Sequence, residues 1–311
     1  MQNKYFQNKK ILITGINGFV GSRLSKKLTD LGAIVFGISK VESSKRTLKS
    51  DILDFVSINK FVEDSKTQIC FHLAGVSLVE SGQEDPYNAF KVNLNGTLNI
   101  LEIGRKNNFE KIIIASTSHV YGKNRVPYFE GYTPRPSRPY ETSKACTDLI
   151  AQSYQNIFNL PVLIPRFVNI YGPGDLNFNR LIPKTIKSLL SDKEPIMWGG
   201  RAVRDYLYIE DAIEAYLSLA SVDLKKIGNN RVFNFGGGNK ISVKELIDKL
   251  INLSGKNLKI KKAKEERLEE IELQYVSFNK AINLLSWKPT ISLDEGLKRS
   301  ISWYQNYLKE I

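Results

Sequence analysis

Near the N-terminus, Lys10-Ile11-Leu12-Ile13-Thr14 runs directly into Gly15-Ile16-Asn17-Gly18-Phe19-Val20-Gly21, an apolar stretch that ends in three glycines spaced three residues apart. This order predicts a strand, a tight turn and the start of a helix. Glycine lets a backbone come close to a ligand, and the N–H groups at a helix N-terminus carry partial positive charge, so such a turn suits a pyrophosphate. Other short apolar runs follow at Ile34 to Ile38, Ile69 to Leu73, Ile112 to Ser116 and Val162 to Arg166, separated by segments of helix length. Strands that alternate with helices predict an α/β chain with a parallel, doubly wound sheet.

Ligands of such sheets bind outside the carboxyl ends of the strands, where the glycine turn, Ser116 to Ser118 and Arg166 to Asn169 all fall. Asp85-Pro86 predicts a helix start, with Phe90, Leu94, Thr97 and Leu101 following on one face. After Tyr171 the pattern loosens through Pro173, Gly174 and Pro183, and Arg204 to Ala220 and Val232 to Phe235 read as returns to the sheet. Ser242 and Glu245 predict a capping box. At 311 residues and 35.3 kDa, with 42% hydrophobic residues, there is room for one large unit and a smaller one. The expected architecture is a Rossmann-type sheet over residues 1–170, with 204–236 returning to it, and a smaller substrate-binding lobe from 171–203 and 237–311.

No apolar stretch approaches the roughly 20 residues that span a bilayer, and Met1 to Lys10 is too polar for a signal peptide; a cytoplasmic protein without membrane contact is expected. Cys70 and Cys146 offer no disulfide framework and read as core residues, and with two histidines no metal site is visible. The net charge of +13 is spread along the whole chain, and its densest run, Lys256 to Lys264, is followed at once by Glu265, Glu266, Glu269 and Glu270. That pattern describes a solvated lysine-rich surface rather than a nucleic-acid face, although part of the excess suits a polyanionic small ligand.

Pro139-Tyr140-Glu141-Thr142-Ser143-Lys144 opens a predicted helix, and a spacing of four puts the phenol and the ammonium on one face. A free phenol titrates near ~10. A cation about 4 Å away at an effective dielectric near 20 is worth ~4 kcal/mol before screening, so Lys144 is expected to draw Tyr140 towards neutral pH, where it can exchange protons. Thr117 would hold the oxygen that exchanges this proton. At the other end of the site, a carboxylate about 20 residues after the glycine turn would favour NAD. Ser39 stands there instead, followed by Lys40, Lys45 and Arg46, so NADP(H) is favoured, with NAD(H) as the alternative. Asp51-Ile52 would suit the adenine edge.

The whole chain resembles the extended short-chain dehydrogenase/reductases of the NAD-dependent epimerase/dehydratase type, which act on nucleotide-sugars. The resemblance is carried by Thr14-Gly15 through Gly21, Phe71-His72-Leu73-Ala74, Asn93 to Thr97, Ser116 to Gly122, Tyr140 with Lys144, Arg166 to Pro173 and Arg204-Asp205-Tyr206. Arg267-Leu268-Glu269-Glu270 stands where the family often has Arg-Pro-Gly-Asp. It implies Thr117, Tyr140 and Lys144 as the catalytic triad. The dinucleotide would be held by Gly15, Gly18, Phe19, Val20, Ser39, Lys40, Asp51, Ile52, Leu73, Ala74 and Phe167, together with Tyr140 and Lys144. The nucleotide-sugar would lie against Thr117, Asn169, Arg180, Leu181, Arg204, Arg267 and Glu270. A homodimer through the helices near 86–104 and 141–157 is implied as well.

One departure narrows the reaction. Sugar 4,6-dehydratases of this type follow the threonine with an acidic residue, often Asp-Glu, whereas this chain has Ser118-His119. His119 reads as a packed or solvent-facing strand-end residue that could in principle donate a proton. Dehydration is therefore disfavoured. The segment Gly174 to Pro183 is similar to that of CDP-glucose dehydratases, a hint of a cytidine nucleotide. The expected activity is NADPH-dependent reduction of a nucleotide-linked 4-keto-6-deoxyhexose at C4, with a 4-epimerase as first alternative and a non-catalytic dinucleotide- or RNA-binding relative as second.

Overall fold

The computed structural model describes residues 2–263 and 271–310. Its strands β1 (Lys10–Thr14), β2 (Ile34–Ser39), β3 (Thr47–Lys49), β4 (Ile69–His72), β5 (Lys111–Ile114), β6 (Ser116–Thr117) and β7 (Val162–Phe167) join Val232–Phe235 in one parallel sheet. Across the sheet the order is Val232–Phe235, β7, β5, β4, β1, β2, β3, with β6 also beside β7. Chain direction across the sheet reverses between β1 and β4, and the carboxyl ends of those strands flank the crevice such a reversal leaves.

Alternation along the strands explains why this sheet needs cover on both faces. Ile11, Ile13, Ile69, Phe71, Ile113 and Leu163 belong to one buried apolar cluster; Leu12, Cys70, Ile112, Ile114, Val162 and Ile164 belong to the other. Cys70 is thus a core residue, whereas Cys146 is only half-buried.

Helix ends follow their local chemistry. Asp85 accepts from the Asn88 N–H at 3.0 Å with Pro86 in the first turn. The run beyond it contains a π-turn at Lys91–Asn95, which rotates the buried stripe. Thr97 and Leu101 are buried as the periodicity predicts, but Phe90 and Leu94 are half-buried and Val92 and Asn93 take their place. The capping box forms: Ser242 Oγ accepts from Glu245 N, and Glu245 Oε2 accepts from Ser242 N at 2.8 Å.

Val232–Phe235 rejoins the sheet beside β7, but Arg204 to Ala220 does not. Val203–Arg204 pairs with Ile241–Ser242 and Leu273–Gln274, Tyr206–Tyr208 pairs with Asn169–Tyr171, and Ile209–Ser221 is a helix packed on β5 and β7. Ala212, Ala215, Tyr216 and Leu219 are all buried along that helix, the spacing of a helical stripe. Its Asp211 ties down the C-terminal segment by accepting from Thr290 N, Thr290 Oγ1 and Ile291 N.

Candidate functional site

Thr14 ends β1 fully buried, and its Oγ1 accepts from Leu73 N and Ala74 N, both at 3.1 Å, while bonding to His72 Nδ1 at 2.8 Å. This draws the end of β4 against the glycine turn. Gly15 has φ +71°, and a Cβ there would stand 3.1 Å from Ala74 N. A Cβ on Gly21 would come within 2.2 Å of Gly15 O, so the turn and the helix Phe19–Asp30 can meet only if Gly21 has no side chain. Gly18 caps that helix without a side-chain hydrogen bond, which leaves its first N–H groups for a ligand.

A cavity of about 830 Å³ opens from this turn. Its walls include Gly15, Gly18, Phe19, Val20, Ser39, Lys40, Ile52, Leu73, Ala74 and Phe167 towards the sheet, with Thr117, Tyr140 and Lys144 among them. Asn169, Arg180, Leu181 and Arg204 line it as well. Asp51 is not among its walls: its carboxylate pairs with Lys40 Nζ at 2.9 Å, and Lys40 with the Leu53 N–H outweighs slight burial to hold it below the usual carboxylate range. Arg267 and Glu270 lie outside the described residues.

Ser39 occupies the position of the expected carboxylate at the end of β2, but two carboxylates stand close to it. Besides Asp51, Glu42 Oε2 accepts from Asn17 Nδ2 at 3.1 Å, and Asn17 also donates to Ser39 Oγ. The open glycine cradle, the capless helix start and these polar groups fit a dinucleotide. No group of residues able to hold a metal ion occurs among the described residues.

In the cavity wall Thr117 lies within hydrogen-bonding reach of the Tyr140 hydroxyl. The expected tuning of the phenol by its neighbour is not what the structure has. Burial pushes Tyr140 up to about 12, against the pull of Arg180 and the Thr117 hydrogen bond. The Lys144 ammonium instead donates to Ala115 O, and burial lowers it to about 8 against the opposing charge of Asp148. A spacing of four puts both groups on one helix face but does not direct the ammonium at the oxygen.

Beside Thr117, Tyr140 and Lys144 lies a buried support. Arg166 Nε and Nη2 donate to the two oxygens of Asp148, each at 2.8 Å, and Ser116 Oγ donates to the same carboxylate. Asn93 Nδ2 donates to Ser143 Oγ at 2.8 Å and its Oδ1 accepts from Val76 N, which fixes the loop after β4 to the helix Pro139–Phe158. Arg180 pairs with Asp175 at 3.1 Å at the cavity edge.

Two features of the wall escape a reading of the sequence. Trp198 lines the cavity with the Lys184 ammonium 3.9 Å from its ring centroid, and no motif or spacing singles it out. His119, which read as a packed or solvent-facing residue, lines the cavity, and its Nδ1 lies 3.3 Å from the buried Glu141 carboxylate. The only signal for that pair was Glu141 directly after Tyr140.

Comparison with known proteins places this geometry. The profile of the NAD dependent epimerase/dehydratase family matches residues 11–236. A UDP-glucuronate 4-epimerase of Thermodesulfobacterium geofontis is 30% identical over 96% of this chain and 97% of its own. The crystal structure of a Thermotoga maritima UDP-glucose 4-epimerase with UDP-glucose superposes with a TM-score of 0.90 at 28% identity, covering 96% of this chain and 99% of that one. A Bacillus cereus UDP-glucuronic acid 4-epimerase in complex with UDP-glucuronic acid and NAD gives 0.88 at 27% identity, with the same two coverages of 96% and 99%. A parallel doubly wound sheet, a glycine turn locked to its helix and a Thr-Tyr-Lys group on one cavity therefore have a common origin: the chain belongs to the NAD-dependent epimerase/dehydratase family.

Proposed function

We propose that this protein interconverts nucleotide-diphosphate sugars that differ at C4, with NAD retained through the cycle. The observation that carries the reading is that Thr117, Tyr140 and Lys144 line one cavity together with the glycine turn, Arg180 and Arg204. Gly15, Gly18, Phe19, Val20, Ser39, Ile52, Leu73, Ala74, Phe167 and Lys144 hold the dinucleotide. Bound there, it supplies hydride acceptance and return at C4. Thr117 positions the C4 oxygen, Tyr140 takes and returns its proton, and Lys144, shifted from Ala115 O, is the cation that makes the phenol acidic enough to do so. Arg180 and Arg204, with Asn169 and Leu181, receive the diphosphate, joined by Arg267 and Glu270. Trp198 offers a flat face for the base.

NAD is preferred to NADP in this reading because Lys40, the cation a 2′-phosphate would need, is engaged by Asp51, and Glu42 adds a second negative charge nearby. A second reading is the NADPH-dependent reduction of a 4-keto-6-deoxyhexose nucleotide, favoured by the exposed Lys45 and Arg46 in the segment after Lys40. One experiment separates them. Purified protein is given UDP-, dTDP- and CDP-sugars with NAD, and in parallel their 4-keto forms with NADPH. Appearance of a C4 epimer without net cofactor consumption supports the first reading; stoichiometric NADPH oxidation without epimer formation moves the assignment to the second. The molecule is further read as a homodimer, with the packed helices Pro86–Phe90 and Pro139–Phe158 contributing exposed Tyr87, Leu149 and Ile157 to the contact.

A further inference from the structure

The site holds a second proton-handling group that hydride transfer at C4 does not use. His119 follows Thr117 by two residues at the start of the short turn Ser118–Tyr121, lines the cavity, and its ring centroid lies 6.4 Å from that of Tyr140. Its side chain is 20% exposed, whereas Glu141, its partner, is 2% exposed. Glu141 also accepts from Ser137 N at 3.3 Å. Burial works against the Glu141 charge, but His119, the Ser137 N–H and Arg138 together hold the carboxyl below its usual range. An ionised carboxylate facing Nδ1 holds the ring proton on that nitrogen, which leaves Nε2 as the basic atom of the imidazole. A carboxylate that orients a histidine in this way also steadies the imidazolium that forms when the ring takes up a proton.

We propose that the His119–Glu141 dyad removes and returns a proton on a sugar carbon adjacent to C4, at C3 or C5, while C4 is a ketone. This rests on the C4 oxidation–reduction read above and adds carbon-acid chemistry to it. A carbonyl acidifies the C–H bonds beside it, and a group neighbouring Tyr140 is placed to address a carbon beside the one whose oxygen Tyr140 holds. In the step, the C–H bond breaks, the proton passes to His119 Nε2, and the electron pair moves into the C4 carbonyl to give an enolate whose oxygen the Thr117 and Tyr140 hydroxyls receive. Return of a proton from His119 after exchange with solvent restores the ketone, so the step is redox-neutral and needs no co-reactant. Glu141, 2% exposed, is a positioning residue that acts through the imidazole.

The test supplies the ketone directly. UDP-4-keto-6-deoxyglucose is incubated with the holoenzyme in D2O, and loss of the H3 and H5 proton signals is followed by NMR against an enzyme-free control. Reduction of the same ketone by NADH is followed in parallel with the same protein. Wild type is expected to accelerate exchange at one of the two carbons, and His119→Gln or His119→Asn to slow it about 10²-fold while slowing ketone reduction far less. Glu141→Gln is expected to slow exchange less than His119→Gln and to displace its pH profile, a change that a purely structural role would not produce. Far-UV circular dichroism and Tm verify that each variant folds. Ketone reduction by wild type without exchange above the control overturns the dyad and leaves the C4 reading standing. Exchange that survives in both His119 variants overturns it equally. Exchange without any hydride transfer supports the dyad and removes the C4 reading instead.

Discussion

Tyr140 is a buried phenol at about 12, so it keeps its proton at neutral pH and takes one from a C4 hydroxyl only once Lys144 faces it. Tyr140→Phe keeps the ring and its packing but removes the exchangeable proton. It is expected to lower kcat about 10³-fold with little change in NAD affinity, read by steady-state kinetics and by cofactor titration. Lys144 carries the opposite stress. Its folded-state value of about 8 lies below the ordinary lysine value, so the unfolded chain binds the proton more tightly. The cost of burying this charge is therefore full below about pH 8 and fades as pH rises from there towards about 10.5. Lys144→Met is expected to abolish turnover yet hold or raise Tm at neutral pH, with the gap to wild type closing in strongly alkaline buffer; scanning calorimetry at both pH values measures it. Both residues stand out in the sequence by their spacing. The direction of the Tyr140 shift does not, because spacing reports which helix face a group occupies and says nothing of how much water remains there or which carbonyl captures the ammonium.

Among the elements, the junction of β1 with the helix Phe19–Asp30 is the tightest, since the backbone of Gly15 occupies the space a Gly21 side chain would need. Gly21→Ala forces the helix off the turn. It is expected to cost about 1–3 kcal/mol in urea unfolding, as overpacking does, and to weaken NAD binding in a fluorescence titration because the helix N-terminus is displaced. Strands β1, β2, β4, β5 and β7, the return at Val232–Phe235, the Asp85-Pro86 start and the Ser242–Glu245 box were legible from local patterns, each being a short-range rule about caps, alternation and apolar runs. Others were not: β3 (Thr47–Lys49) has no apolar run to mark it, and two more depend on geometry beyond local pattern. The π-turn at Lys91–Asn95 rotates a helical stripe in a way that 3.6-residue periodicity cannot anticipate, and Tyr206–Tyr208 pairs with Asn169–Tyr171 rather than the large sheet, a choice between partners distant in sequence.

For the whole molecule, exposed apolar side chains on the helices Pro86–Phe90 and Pro139–Phe158 bear on assembly. Leu149 is 53% exposed and Tyr87 77% exposed, a solvation cost that a partner copy would remove. On the proposed homodimer, wild type is expected to show twice the chain mass by light scattering and Leu149→Arg to halve it; a wild-type mass of one chain overturns the dimer, and a dimeric mass unchanged by Leu149→Arg places the contact elsewhere. Local pattern was enough to read the α/β architecture, the glycine turn and the Tyr140–Lys144 spacing, because each follows from geometry along a few residues. The pairing of Lys40 with Asp51, the reach of Glu42 to Asn17, the place of Trp198 in the cavity wall and the bracing of His119 by Glu141 came from the folded chain alone. Ion pairing, burial and the wall of a cavity belong to residues brought together from separate turns and strands, so their energies arise only once the sheet has placed its carboxyl ends side by side.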